Sequence, residues 1–446
     1  MWYHCLPALP FLIVVLLANF VTPVVLWDEM WVKHTWNTVP AGWESLGDPA
    51  AGAVFDLHIS LKPNQESALT DALSEISNPS HSRRVVLSTP LLCLYSRVLL
   101  RIRYSAYLSK DQVAELVSPH PDTVELVRAW LVHHDIPSSS ISVTLGGSWL
   151  TVTDVLVSRA NQLLGASYQM YWNCKTNHTI IRTVGYALPT VLHTHIRTVA
   201  PTTHFPSARG MHHTPRRSSF EAAPAQVQGA SGRLLTAREL PGVTPSFLRW
   251  LYKTDTYTPA APDLNSLGIL GINNEYACKD DLTNFMTKYE SEAEDATFTV
   301  EQSNDGGYDP NTPGVGPNLG TQFGAALTYP TNLVFYSVGG DALWGPNGRP
   351  LPGDTYLEFL KGLLADPSPP QTISITYGQA EHELPPEYAS SLCLLFAELG
   401  LRGVSVLVAS GKDGVGEGDC VIVGGVVQFA PEFPASCTCG VLYRPI

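Results

Sequence analysis

The sequence predicts two folded units in succession: an α+β unit over residues 53–200 and an α/β unit with a parallel sheet from residue 243. Three observations carry this. Over 53–200, strands that alternate apolar and polar residues are interleaved with amphipathic helical stretches. From 243 on, short apolar strands alternate with helices, the pattern of a parallel sheet covered on both faces. Between them, 201–242 is dominated by Pro, Ser, Ala, Gly and His around Arg216 and Arg217, the composition of an exposed linker open to proteolytic cutting.

In the first unit, Val54, Phe55, Asp56, Leu57, His58, Ile59, Ser60 and Leu61 alternate as a strand does. Leu69, Leu73 and Ile76 mark a helix over 64–76. Ser109 is placed to cap a helix over 110–117, and Val124, Val127 and Leu131 give another over 122–133. Strands at 141–145 and 149–153 flank Gly146 and Gly147, a hairpin signal, and a short helix over 158–164 precedes a strand near Tyr168. In the second unit, 267–271, 332–336 and 403–408 read as buried strands. Helices are expected over 280–289, 354–364 and 384–399. Functional loops of such a sheet lie at the carboxyl ends of its strands.

Composition narrows the function. The 446 residues carry 27 Lys+Arg against 40 Asp+Glu, a net charge of −13, which argues against nucleic-acid binding. With 44% hydrophobic and 15% charged residues, the chain is too apolar to be disordered. No Asp, Glu, Lys or Arg occurs over 1–27. The apolar run at 8–18 is short for the ~20 residues of a membrane span and reads as a signal peptide over 1–24. A secreted protein without a stable membrane span follows. Of the eight cysteines, Cys5 would leave with the signal, and the odd remainder implies a free or intermolecular thiol. Cys393 can pair with Cys420 or Cys437, between which sequence does not choose. Asn177, followed by His178 and Thr179, is a glycosylation acceptor in a secreted chain.

Other chemistry-bearing patterns are weak. The pairs His133/His134 and His212/His213, and His193 with His195 on one strand face, signal no further metal ligand. Gly146, Gly147 and Ser148 lack the nucleophile-elbow pattern. Gly414, Gly416 and Gly418 are followed by no Lys-Ser or Lys-Thr, and Glu417 and Asp419 would repel a phosphate.

Several stretches, in order along the chain, resemble one family. They are Val39-Pro-Ala-Gly-Trp43, Ser77-Asn-Pro-Ser-His-Ser82 and Leu108-Ser-Lys-Asp-Gln-Val113. Val243-Thr-Pro-Ser-Phe-Leu-Arg-Trp-Leu-Tyr252, Leu267-Gly-Ile-Leu-Gly271 and Ile373-Ser-Ile-Thr-Tyr-Gly378 follow. Arg402-Gly-Val-Ser-Val-Leu407 and Phe433-Pro-Ala-Ser-Cys437 complete the series. Together they resemble the sedolisins, or serine-carboxyl peptidases, particularly fungal tripeptidyl-peptidases with a prokumamolisin-type propeptide. The resemblance implies a ferredoxin-like α+β activation propeptide over 25–200, a linker with a processing site over 201–242, and a partial α/β subtilisin-like peptidase domain over 243–446. It also implies a peptide or protein substrate and a contact between propeptide and peptidase domain. In this family a Glu takes the proton from a Ser nucleophile, an Asp four residues on holds that Glu, and a protonated Asp donates to the oxyanion. Such chemistry works at acidic pH. The i, i+4 spacing puts both acids of the Glu/Asp pair on one helix face.

The sequence departs from this pattern. The segment 313–330 matches the acidic helix, with Pro317 suited to its first turn and Leu319, Phe323, Ala326 and Leu327 as its expected buried stripe. Yet the Glu position holds Gly316 and the Asp position Gly320, each weakening the helix by about 0.5–1 kcal/mol against Ala. The oxyanion Asp position holds Lys412, with Asp413 one residue later as a weak substitute. No Gly-Thr-Ser nucleophile segment occurs up to Ile446, and the family's calcium site would lie beyond that residue, so no cofactor is expected in this chain. Residues 84–103 form an apolar, basic insertion within the propeptide, read as a retained intron or a buried hairpin. The expectation is therefore a sedolisin-like chain, C-terminally truncated and catalytically incompetent. The alternatives are a propeptide acting as inhibitor or chaperone of an active relative, and an incomplete gene model of an active peptidase.

Overall fold

The computed structural model describes residues 27–77, 107–174, 176–207, 243–340, 354–409, 429 and 431–437, with the backbone alone of 209–210, 227–228, 234–235, 421–423 and 426–428. The expected signal peptide, the 84–103 insertion and the loop with Lys412 and Asp413 lie outside the described residues.

The first unit comprises strands β1 (Met30–Thr35), β2 (Trp43–Gly47), β3 (Val54–Leu61), β4 (Ile141–Val143), β5 (Trp149–Leu156), β6 (Gln169–Asn173), β7 (Thr179–Arg182), β8 (Gly185–Pro189) and β9 (Ile196–Ala200). Its helices are α1 (Glu66–Ser77), α2 (Lys110–Leu116), α3 (Pro121–His133) and α4 (Val157–Leu164). The main sheet is antiparallel in the order β4-β5-β3-β9. Leu57 and Ile59 of β3 pack with Leu150 of β5, Trp130 of α3 and Leu163 of α4 in one core. The smaller sheets β1-β8 and β2-β6-β7 use residues before 53 that carry no clear alternation.

Local chemistry accounts for the boundaries. Ser109 forms a capping box with Gln112: the Gln112 N–H donates to Ser109 Oγ at 3.2 Å, and the Ser109 N–H donates to Gln112 Oε1 at 2.9 Å. The hairpin glycine Gly146 has φ +84°, and a Cβ there would lie 2.4 Å from the Ala114 carbonyl oxygen, so α2 seats directly on the turn. Instead of a strand, His193 falls in a 3-10 turn over Thr190–Thr194, so the expected pair of rings on one strand face does not form.

The second unit contains β10 (Ser266–Gly271), β11 (Phe298–Ser303), β12 (Asn332–Val338), β13 (Thr372–Ile375), β14 (Tyr377–Ala380) and β15 (Ser405–Val408). Its helices are α5 (Pro245–Tyr252), α6 (Lys279–Tyr289), α7 (Val315–Thr328), α8 (Thr355–Ala365) and α9 (Pro386–Leu401). Five strands form an all-parallel sheet in the order β11-β12-β10-β13-β15. Leu267 and Ile269 of β10 face the core under α6 and α7, and Leu270 faces the core under α8 and α9. Within the core under α8 and α9, Cys393 is disulfide-bonded to Cys437, the pairing that sequence left open.

The two units share a seam. Leu69 and Ile76 of α1 and Val113 of α2 pack on Ala397 and Leu401 of α9. Strand β3, which reads as half-buried from its alternation, is covered on both faces: His58 and Ser60, on the polar face, are each 3% exposed. Among the described residues no helix is long and apolar enough to cross a membrane.

Candidate functional site

Chain order reverses across the parallel sheet between β10 and β13, and a crevice at the carboxyl ends of strands on either side of such a reversal is where open α/β sheets bind ligands. The loop after β10 and helix α7 border this crevice. Glu275, half-buried in that loop, accepts a hydrogen bond at 2.9 Å from the phenol of Tyr377, which follows β13. Burial, and then the Glu275 charge, push the Tyr377 hydroxyl well above its ordinary range, so it remains a donor. Among the described residues no serine hydroxyl or cysteine thiol hydrogen-bonds to Glu275.

Helix α7 carries the positions singled out in the sequence. Gly316 is buried in its first turn, and Gly320 lies one turn on. A Cβ on Gly320 would stand 2.8 Å from Ile269 Cγ2. The expected buried stripe is corrected here. Ala326 is buried as expected, but Leu319 is 43% exposed, Phe323 and Leu327 are half-buried, and the buried face runs through Pro317, Thr321, Ala325 and Ala326. Small residues let the helix axis settle close to β10, and larger side chains at 319 and 323 are displaced to its flanks. Asn318 ties α7 to α6, accepting from the Cys278 N–H at 2.8 Å and donating to Asp281 Oδ2 at 2.7 Å.

Acidic chemistry concentrates on the other side of the sheet. Asp354, directly before α8, is fully buried. Its Oδ1 accepts from Tyr388 at 3.1 Å, lies 3.0 Å from His204 Nδ1, and is 3.8 Å from Arg182 Nη2. Burial works to raise the Asp354 carboxyl, but the Arg182 charge and the His204 hydrogen bond outweigh it and hold the group below the usual carboxylate range. One turn on, Glu358 Oε1 is 3.4 Å from His58 Nε2 and accepts from Lys361 Nζ at 2.8 Å. Lys361 also lies 3.2 Å from His58 Nδ1. Burial first, then the Lys361 charge, lower the His58 pKa, so its neutral form is favoured. Arg197 of β9 reaches Glu66 at 2.5 Å and Glu387 of α9 at 3.6 Å. Acids at the starts of α8 and α9 thus meet bases from the first unit, where helix dipoles favour negative charge. Sequence reading placed only apolar core on the helix at 354–364. The Asp354/Glu358 spacing of four was the available signal, and apart from Lys361 their basic partners are 150 or more residues away in the chain.

Asn177 sits exposed in the β6–β7 turn with φ +59°. Its Oδ1 accepts from Trp172 Nε1 at 3.1 Å, leaving Nδ2 outside that bond.

A sequence profile described as "Pro-kumamolisin, activation domain" matches residues 101–205. Tripeptidyl-peptidase SED4 of Arthroderma otae is 27% identical over 443 residues, covering 97% of this chain and 67% of the relative. Tripeptidyl-peptidase SED2 of the same organism is 28% identical over 426 residues, covering 92% and 66%. The chain is similar to sedolisin-type tripeptidyl-peptidases along nearly its whole length. It spans about two thirds of the length of these curated relatives. A solved Pseudomonas sedolisin (serine-carboxyl proteinase) complexed with two molecules of pseudo-iodotyrostatin superposes with a TM-score of 0.33 at 19% identity, over 45% of this chain and 53% of the other. The profile match begins inside the last residues of the 84–103 stretch read as an insertion.

Proposed function

We propose that this chain is a secreted sedolisin-type protein, built for peptide substrates and acidic surroundings by descent, that does not turn peptides over. The observation that carries this is the pair Gly316 and Gly320 on α7. The resemblance puts the family's Glu and Asp at these positions, and a Cβ on Gly320 would stand 2.8 Å from Ile269 Cγ2, so a side chain there requires Ile269 to shift. Glycine supplies neither base nor hydrogen bond, and losing the base of a catalytic unit costs a peptidase about 10⁴–10⁶ in kcat. Residues 25–200 act in this reading as an activation propeptide. The strand order β4-β5-β3-β9 with helices between fits a ferredoxin-like arrangement, and the order of the parallel sheet fits a subtilisin-like one. Residues 201–242 are the linker with the processing site, 243–446 the peptidase-like part, and Asn177 a glycosylation site.

The test is a fluorogenic tripeptide assay at about pH 4. The expected rate equals that of the substrate alone. Turnover abolished by a carboxyl-peptidase inhibitor overturns the reading. The seam supports a second role. The basic face made by His58, Arg182, Arg197 and His204 is complementary to acids at two helix starts, and such a face can engage a peptidase relative in trans as inhibitor or chaperone. Adding the full chain to an active sedolisin tests this: loss of activity, or higher refolding yield, is expected, and unchanged rate and yield sink it.

A further inference from the structure

A cavity of about 180 Å³ lies in the seam, between α2, the β4–β5 hairpin, α8 and α9, on the opposite side of the sheet from α7. Its walls include the apolar side chains of Val113, Leu145, Trp149 and Leu395. Glu398 of α9 lines it and is 8% exposed. Glu398 also lines a second space of about 20 Å³ near Ser60 and Leu69. Among the described residues it has no hydrogen-bond or ion-pair partner. Arg402, one turn on, is turned away and donates to the carbonyls of Leu363, Leu364 and Asp366 at the end of α8. A buried polar group left unpartnered costs about 1–3 kcal/mol, and native proteins keep few of them.

The cavity is electrically two-ended. Lys110, Lys361 and Arg402 line it as cations. Lys361 is committed to Glu358, His58 and Thr151, whereas among the described residues Lys110 donates only to the Ala365 carbonyl. A simple cation would be repelled by these residues, and a simple anion would leave Glu398 unmatched. The volume holds about six waters' worth of liquid, enough for leucine and too little for a tripeptide.

We propose that this cavity binds a small zwitterion with an apolar body, an α-amino acid of leucine size. Glu398 receives its ammonium, Lys110 attracts its carboxylate, and Trp149, Leu145 and Leu395 enclose its side chain. Burial pushes the free Glu398 carboxyl up to about 8, so the empty site is protonated near neutrality. Pairing with an ammonium ionises Glu398 and releases one proton to solvent. Binding couples both units, because each supplies part of the wall.

Calorimetric titration of the full chain with L-leucine at about pH 6.5, repeated in buffers of different ionisation enthalpy, tests this. Saturable binding with close to one proton released is expected. 3-Methylbutylamine and 4-methylpentanoate, each with one charged end, should bind at least about tenfold more weakly, about 1.4 kcal/mol. Glu398→Gln should abolish leucine binding while leaving the melting temperature equal or higher. If that variant does not fold, Leu145→Trp at the exposed rim should block entry instead. No saturable leucine binding in the millimolar range, equal affinity for the one-ended probes, or unchanged binding in the folded variants overturns the proposal.

Discussion

The two faces of the parallel sheet handle acidic side chains in opposite ways. On the α7 face stand Gly316 and Gly320, where the resemblance expects acids, and the helix lies close enough to β10 that Gly320 abuts Ile269. On the α8/α9 face, Asp354 is removed from water and surrounded by Arg182, His204 and Tyr388. Under the proposed function, acids persist where they join the two units and are missing where they would act on a peptide bond. On that reading, fold and docking are kept while chemistry is discarded, since the two demands fall on different faces of one sheet. Breaking the seam should therefore cost far more than altering α7. Asp354→Ala leaves buried Arg182 and His204 without their carboxylate, and a loss of about 3–5 kcal/mol is expected in urea unfolding. A loss below about 1 kcal/mol would mean that water already serves that pocket.

On the α7 face the informative change is small. Alanine is a better helix former than glycine by about 1 kcal/mol, so Gly320→Ala would stabilise a freely exposed helix. Here its Cβ meets Ile269, and overpacking costs about 1–3 kcal/mol, so a net destabilisation of roughly 1–2 kcal/mol is expected. Ile269→Ala in the Gly320→Ala background should cost less than in the parent, with a coupling of at least about 0.5 kcal/mol in a double-mutant cycle. Additive effects would show that the glycine is not held by that contact.

The seam also gives the molecule a pH dependence with a definite sign. His58 has a lowered pKa in the folded state, so below the ordinary value of 6.5 the unfolded chain takes up its proton first. Stability from this group is therefore full above 6.5 and falls as pH drops from there to the folded value. The groups facing it are Lys361, Glu358, Asp354 and Asp56. Asp354 has a lowered carboxyl pKa, so its contribution is full above 3.8 and is lost only as pH falls through its folded value. Glu398 acts oppositely, disfavouring the folded state as pH rises from 4.5 towards 8. The clean measurement is thus a difference. Melting temperatures of His58→Gln followed from pH 7.5 to 5 should decline less than those of the parent, by a few degrees, for an expected contribution of about 1 kcal/mol. Parallel declines would remove His58 from the pH response.

Legibility in the sequence follows the range of the interaction. The strands over 267–271 and 332–336, the helices over 110–117, 122–133, 280–289 and 384–399 and the Gly146 hairpin announce themselves within a few residues, because periodicity and turn chemistry are local. The role proposed for Gly316 and Gly320 rests on matching a family pattern, since a glycine by itself carries no signal of an acid. The partnership of His58 and His204 with Glu358 and Asp354 was not legible, for a buried pair is defined by what folds against it. The polar face of β3 misled for the same reason: alternation says which residues share a face, and not whether a second unit covers that face.

The smallest expected effect lies at the most legible feature. Ser109 and Gln112 satisfy each other's backbone N–H groups at the start of α2, a device spanning four letters of sequence. Ser109→Ala should cost about 1 kcal/mol, the ordinary worth of an N-cap, and Ser109→Asp should recover most of it. But α2 also forms one wall of the seam, with Val113 packed on α9 residues. If α2 is held mainly by that packing, the loss on capping removal should shrink towards zero in the parent. It should reappear in the Asp354→Ala background, where the seam is weakened. Equal losses in both backgrounds would mean that local capping and the inter-unit seam stabilise α2 independently, and that the first unit owes its helices to its own sequence and not to the face it covers.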